Sequence, residues 1–323
     1  MKILVTGGAG YVGSTLVPLL LAEGHQVRVL DSLLHGGESL LGAWSHPSFQ
    51  FIRGDICDQS VMQAAVSGVD AVVHLAAIVG DPACARKPDL ARTVNLDSSL
   101  ALISESQKAG VSRFIFASTC SNYGKMSDPS KYVDEESELS PVSLYAETKV
   151  AVEKALLEGV NNRGGWSPTP LRFATVFGVS TRMRFDLTVN EFTMEMLTKK
   201  HLIVFGEQFW RPYIHVRDAA RGIKLILDSP AEQVGGIVFN VGSTDQNLQK
   251  QQLVDMIRPY VPDAVVEFVH KNEDPRDYRV SFARITEQLG FKTTRTVADG
   301  IEEVVYLVRN KIIQNFGDER FRN

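Results

Sequence analysis

Short apolar runs separated by amphipathic stretches organise the first half of the chain. Ile3-Leu4-Val5 gives way to a helical pattern over residues 11–22, and Val27-Arg28-Val29-Leu30 comes after it. Phe51-Ile52 and the runs at 71–75 and 113–117 come next, each preceded by helix-like sequence. Runs of Val, Ile, Leu and Phe without polar alternation are what strands buried on both faces of a parallel sheet require. Strand–helix alternation of this kind predicts an α/β, Rossmann-type doubly wound parallel sheet. Near residue 170 the alternation loosens. Residues 166–170 hold two prolines, 171–176 reads as one more strand, and beyond lie helices, short strands and charged loops, with Asp274-Pro275-Arg276-Asp277 as an exposed turn. The expected division is a doubly wound domain over 1–170 and a smaller mixed α/β part over 171–323, some of whose segments return to the first.

Composition narrows the function classes. The chain has 323 residues, a formal net charge of −4, 44% hydrophobic and 22% charged residues, which is ordinary for a globular protein. No basic excess exists to neutralise a phosphate backbone, so no nucleic-acid partner is expected. The strongly apolar run at 16–22 falls far short of the ~18 residues needed to span a bilayer, and the glycine-rich start has no signal-like apolar core. Cys57, Cys84 and Cys120 are far apart and form no CxxC pair. The expectation is a cytoplasmic protein with no membrane association, disulfide framework or metal.

Candidate chemistry begins at Thr6-Gly7-Gly8-Ala9-Gly10-Tyr11-Val12-Gly13, between the first strand and the first helix. In this GxxGxxG, Gly7 permits the tight turn, Gly10 admits a pyrophosphate to the backbone, and Gly13 lets the helix pack close on the strand. The helix N-terminus then offers unpaired N–H groups to the anion. Asp31 ends the second strand, where a carboxylate accepts ribose hydroxyls and repels a 2′-phosphate. Ser32-Leu33-Leu34-His35 contains no Arg, so NAD is favoured over NADP.

Tyr145-Ala146-Glu147-Thr148-Lys149 is a YxxxK, whose two side chains share one helix face. A phenol of pKa ~10 is a poor base at neutral pH, and a neighbouring cation stabilises its phenolate. That pair suits proton exchange with a substrate hydroxyl during hydride transfer. Ser118-Thr119-Cys120-Ser121 comes directly after the strand ending at Ala117. Carboxyl ends of strands line the ligand crevice of such a sheet, so Thr119 can set a hydroxyl beside Tyr145.

Together the glycine turn, Asp31, Gly54-Asp55-Ile56, Leu75-Ala76-Ala77, Asn95, Ser118-Thr119, Tyr123-Gly124, Tyr145 and Lys149 resemble the extended short-chain dehydrogenase/reductases. Leu171-Arg172-Phe173, Val176-Phe177-Gly178, Val204-Phe205-Gly206 and Arg211 to Asp218 are similar to the nucleotide-sugar epimerase/dehydratase branch. The resemblance implies an NAD-binding 1–170 and a nucleotide-sugar-binding 171–323. It implies Tyr145 as acid/base, Thr119 on the reacting sugar oxygen, and Lys149 on the nicotinamide ribose. Gly7, Gly10, Tyr11, Val12, Asp31, Asp55, Ile56, Leu75, Ala76, Ala77 and Asn95 complete, with Tyr145 and Lys149, the implied cofactor set, although Asn95 also reads as a satisfied core amide. Asn190, Phe205, Arg211 and Arg276 are implied to meet the substrate's diphosphate and base; Arg182 and Arg184 read equally as phosphate contacts or as solvated surface. A homodimer paired through helices near 95–109 and 145–158 is also implied.

Two departures bear on the activity. Dehydratases of the branch carry acidic residues just after the Thr, where this chain has Cys120 and Ser121, and a decarboxylase would need a Glu there. The loop Ile78-Val79-Gly80-Asp81-Pro82-Ala83-Cys84 differs from the usual epimerase loop, and its Asp81 and Cys84 either face the sugar or merely cap and fill. The leading expectation is an NAD-dependent epimerase acting at a sugar hydroxyl, C4, through a keto intermediate. A 4-ketoreductase of a nucleotide-linked keto-deoxysugar uses the same residues. A neutral apolar substrate fits the arginines poorly, and a non-catalytic nucleotide sensor would be expected to lack Tyr145 or Lys149.

Overall fold

The computed structural model describes residues 1–126, 128, 131–158, 165–271 and 277–323. The chain runs β1 (Lys2–Thr6), α1 (Gly13–Ala22), β2 (Gln26–Asp31), β3 (Phe49–Arg53), α2 (Gln59–Val66), β4 (Ala71–His74), α3 (Asp81–Arg86), α4 (Pro88–Arg92), α5 (Ser98–Lys108), β5 (Arg113–Thr119), α6 (Leu144–Glu158) and β6 (Ser167–Phe173). It continues through β7 (Thr175–Phe177), α7 (Thr188–Lys199), β8 (His201–Phe205), β9 (Trp210–His215), α8 (Val216–Asp228), α9 (Ala231–Val234), β10 (Phe239–Val241), β11 (Asn247–Gln249), α10 (Lys250–Ile257), β12 (Val265–Val269), α11 (Ala283–Leu289) and α12 (Val297–Arg309).

Seven strands pair in parallel in the order β10-β6-β5-β4-β1-β2-β3. Strand direction alternates the side chains between two apolar layers. Ile3 and Val5 of β1 join Leu16 and Leu20 of α1 and Ile223 and Ile226 of α8, whereas Leu4 joins Phe114, Leu102 of α5 and Val152 and Leu156 of α6. Each of these side chains is fully buried, at about 1.5–3 kcal/mol apiece relative to exposure. The apolar residues Val152 and Leu156 of α6 therefore serve the chain's own core. Among the described residues no helix is long and apolar enough to cross a membrane.

Residues beyond 170 return to this sheet, with α8 packed beside α1 and β10 extending the edge. A three-stranded sheet, β11-β9-β7, and a two-stranded one, β12-β8, build the remainder over a separate apolar cluster of α7, α10 and α12.

Three element boundaries differ from the sequence expectation. β5 runs two residues further, to Thr119, because Ser118 and Thr119 keep pairing with Arg172 and Phe173. β6 begins at Ser167 and includes both Pro168 and Pro170. The missing amides lie on the edge away from β5, and β10 starts pairing only at Leu171, so neither proline removes a ladder bond. The segment read as one strand over 171–176 is two, β6 and β7, interrupted at Ala174, whose amide donates to Val241 O at 3.1 Å.

Side chains stitch the two parts at α1. Tyr11 Oη donates to Gly178 O at 2.5 Å, and Ser180 Oγ reaches Tyr11 O at 2.8 Å and Ser14 Oγ at 2.9 Å. Pro18 lies inside α1 and cannot donate to Ser14 O; the Thr181 hydroxyl approaches that carbonyl at 3.5 Å.

Candidate active site

Strand order reverses at β1, which is flanked by β2 and β4, and this is where a doubly wound sheet opens its crevice. The first loop there is the glycine turn. Gly7 has φ 73°, and a Cβ on it would stand 2.8 Å from Ala76 N. One on Gly13 would stand 2.4 Å from Gly7 O, so turn and helix close only without side chains at both positions. The amides of Tyr11 and Val12 have no protein acceptor among the described residues, and α1 carries no acidic residue in its first turn. Unpartnered amides at a helix N-terminus are the arrangement a pyrophosphate accepts from.

Asp31 bridges this turn to the next loop. Its Oδ2 accepts from Ala9 N at 2.9 Å and its Oδ1 from Leu33 N at 2.8 Å. Each oxygen retains a lone pair for a ribose hydroxyl. Burial nonetheless pushes the Asp31 carboxyl up, against the lowering effect of those bonds and of Arg182. Asp55 is exposed and its Oδ1 holds Cys57 N at 2.8 Å, while Ile56 beside it is buried.

On the far wall the loop after β4 carries Leu75, Ala76 and Ala77, all half-buried. Leu75 N donates to Thr6 O at 3.1 Å, fixing the loop against the glycine turn. Asn95 clamps it from behind. Residues 93–97 wind as a π-turn between α4 and α5, which turns the Asn95 amide inward. Its Oδ1 accepts from Ile78 N at 2.8 Å and its Nδ2 donates to Ile78 O at 2.9 Å. The Asn95 amide is thereby satisfied by the backbone of Ile78.

His74 and Thr6 form a buried chain beneath this loop: the imidazole contacts Thr6 Oγ1 at 2.7 Å and Ser99 Oγ at 2.9 Å. Burial, with Lys149 adding, lowers His74 to about 3. Since an unfolded His titrates near 6.5, the unfolded chain alone takes up this proton as pH falls below ~6.5, and stability drops. His74 is expected to remove up to about 1.4 kcal/mol per pH unit between pH ~6.5 and ~5. Urea unfolding at those two pH values checks this; the His74→Gln variant should show the flatter dependence, and an unchanged one refutes the assignment.

The catalytic candidates converge on the end of β5. Thr119 Oγ1 accepts from Ser121 N at 3.1 Å, so its proton points elsewhere. Lys149 Nζ donates to Ala117 O at 2.8 Å, sits 4.6 Å from the Phe116 ring centroid and 5.8 Å from that of Tyr145. Burial lowers the Lys149 ammonium to about 8. Tyr145 is raised above its ordinary value by burial first, then by Cys84, Asp81 and Tyr278, with Arg184 pulling the other way. Asp81 accepts from Ser143 Oγ at 2.6 Å, just before the phenol on the approach to α6.

Tyr278 and Ser143 were not legible as site residues. Tyr278 Oη lies 3.4 Å from Ser121 Oγ, and the Arg211 guanidinium stacks 5.5 Å from its ring centroid. The structure thus brings Thr119, Tyr145, Lys149, Asp81, Cys84, Ser121, Tyr278 and Arg211 to one end of the crevice. Phe205 sits apart at the end of β8, 53% exposed, with Lys271 over its ring. Asn190 is buried, with Oδ1 on Gly178 N at 2.9 Å and Nδ2 on Arg184 O at 2.9 Å and Tyr11 Oη at 3.2 Å. Its amide is engaged inside the fold and joins the two parts. Arg276 lies outside the described residues.

Known proteins similar to the chain identify its family. Residues 3–242 match the NAD dependent epimerase/dehydratase family, and the chain belongs to it. It is 31% identical to a dTDP-glucose 4,6-dehydratase from Streptomyces niveus over 96% of this chain and 93% of that one. The dTDP-glucose 4,6-dehydratase of Streptomyces venezuelae, solved with NAD bound, superposes with a TM-score of 0.85 at 27% identity, covering 96% of this chain and 98% of that one. The UDP-glucose 4-epimerase of Thermotoga maritima, solved with UDP-glucose, also gives 0.85 at 27%, covering 97% and 100%. The chain is an enzyme of the extended short-chain dehydrogenase/reductase type, and its cofactor is NAD. The bare amides at residues 11 and 12, the glycine cradle and Asp31 fit that cofactor.

Proposed function

We propose that the chain is a nucleotide-sugar 4-epimerase, oxidising a sugar hydroxyl to a ketone and reducing it from the other face. The observation that carries this reading is the chemistry of the two residues after Thr119. Cys120 is buried, with Sγ on Arg172 O at 3.3 Å and its thiol pushed well up by burial, and Ser121 faces Tyr278. Neither side chain supplies the acid that expulsion of water from the sugar requires.

NAD, when bound, supplies reversible two-electron oxidation of the alcohol carbon. The chain's own residues manage the proton and the pose. Tyr145 as phenolate takes the proton of the C4 hydroxyl and later returns it. Thr119 holds the same oxygen, and the Lys149 ammonium favours the phenolate over the phenol. Arg211 offers charge to the substrate's diphosphate. Two copies pairing through α5 and α6, with Leu100 exposed on α5, belong to the same reading.

Mass spectrometry of small molecules released on denaturing the purified protein tests the direction. An epimerase recycles its cofactor, so about one NAD+ per chain is expected. Absence of bound dinucleotide, with saturable binding of added NADH or NADPH, would overturn the reading in favour of a one-way 4-ketoreductase.

A further inference from the structure

Residues 178–184 cross the N-terminus of α1 and bring Arg182 within charge range of Asp31 and Tyr11. Arg182 N approaches Ser14 Oγ at 3.4 Å in the first turn of α1, while Thr181 Oγ1 reaches Ser39 O at 3.5 Å on the opposite side. This seats Arg182 between the glycine turn and the loop after Asp31.

Its guanidinium is buried and short of negative charge. Arg182 is 6% exposed, and its Nε has no hydrogen-bond partner. Nη2 donates only to neutral acceptors near the C-terminal end, Arg322 O at 3.0 Å and Asn323 Oδ1 at 2.8 Å. The nearby carboxylates are committed elsewhere. Asp186 takes Arg184 through both oxygens, Nε to Oδ1 at 2.9 Å and Nη2 to Oδ2 at 2.8 Å. Asp31 accepts the amides of Ala9 and Leu33. Burial and the adjacent Arg184 lower Arg182 to about 10, as expected for an undercompensated cation. A second cation placed at a helix N-terminus adds positive charge to positive dipole, which is unfavourable unless an anion lies between them.

We propose that Arg182 is a ligand of the NAD pyrophosphate, clamping it from the second part of the chain against the amides of residues 11 and 12. The chemistry matches: the Nε–H of a buried guanidinium has no acceptor, and a phosphate oxygen would supply a charge-assisted one. The loop 178–184 then closes over the cofactor, so one arginine ties cofactor retention to the packing of the two parts. The inference needs NAD but not the epimerase direction, because a ketoreductase would hold the same pyrophosphate.

Calorimetric titration of the nucleotide-free full chain with NAD+, ADP-ribose and adenosine tests it. Arg182→Gln is expected to weaken NAD+ and ADP-ribose equally, by about ten- to a hundredfold, and to leave adenosine within about twofold. Arg182→Lys should recover only part of the loss. Inorganic pyrophosphate should compete with ADP-ribose in the wild type and lose that competition in the glutamine variant. Binding of NAD+ by Arg182→Gln within about twofold of wild type overturns the proposal, as does an equal weakening of adenosine, which marks a purely structural role. Should the glutamine variant not fold, the lysine variant decides: ADP-ribose weakened several-fold with adenosine unchanged supports the ligand role, and unchanged ADP-ribose overturns it.

Discussion

Tyr145→Phe is expected to lower kcat by about two to four orders of magnitude, the usual contribution of a positioned general acid–base. The fold should not change, because α6 is held by Lys149 on Ala117 O, by Glu153 and by Val152 and Leu156 rather than by the phenol. Cofactor affinity should stay close to wild type, since the role proposed for the lost hydroxyl is on the substrate's proton. Burial raises the unliganded phenol, so it is not a base by itself. Lys149, lowered to about 8, still carries its charge at neutral pH and loses it as pH rises through that value. The cation and a bound substrate hydroxyl must therefore act together, and the wild-type rate should fall on the alkaline side as the ammonium deprotonates. Single-turnover measurement of sugar oxidation against pH checks both points. A Phe variant with more than about a tenth of wild-type kcat, or with an undiminished pH dependence, would sink the role assigned to Tyr145.

The features legible in the sequence are those that lie in a contiguous stretch. The glycine turn is eight consecutive residues, YxxxK spans one helical turn, and the buried strands announce themselves as apolar runs, so local pattern yields the sheet and the Thr119–Tyr145–Lys149 set. Boundaries set by a neighbour are not legible in this way. Pro168 and Pro170 look like strand breakers until β10 is seen to begin at Leu171, and Thr119 belongs to β5 because Phe173 pairs with it. Contacts made across the two parts are also hidden. Asn190 resembles a ligand by motif, yet Gly178, Arg184 and Tyr11 engage its amide from two segments, the glycine turn and the loop 178–184. Tyr278 meets Ser121 across 157 positions of sequence, which no spacing rule reaches. Arg182 is the reverse case, an arginine that reads equally as surface and is buried at the phosphate turn.

The largest expected loss of stability comes from Glu153, two turns beyond Tyr145 on the same face of α6. Its carboxylate is 2% exposed and faces Arg172, which is 5% exposed. Oε2 accepts from Arg172 Nη2 at 2.8 Å and Nε at 3.1 Å, and Oε1 accepts from Asn122 Nδ2 at 2.8 Å and from the Ser118 hydroxyl. Arg172 continues through Nη1 to Tyr123 Oη at 3.0 Å, and that phenol donates to Asn240 Oδ1 at 2.7 Å. The network joins α6, the end of β5, β6 and β10 next to the candidate catalytic residues Thr119 and Lys149. Removing one partner leaves a buried charge uncompensated, so Glu153→Ala is expected to cost about 3–5 kcal/mol in urea unfolding. The pair itself is a different matter, because attraction between two desolvated ions only roughly offsets their desolvation. Glu153→Leu combined with Arg172→Met should therefore recover most of the loss, with a coupling energy of at least ~2 kcal/mol between the sites. Activity should not recover with it: Ser118 and Asn122 lose their shared acceptor next to Thr119, and the hydroxyl and phenol lose their common support. A stable double variant with wild-type kcat would show that the network serves only the fold, whereas a stable double variant with a much reduced kcat would show that it also sets the distance between Thr119 and Tyr145.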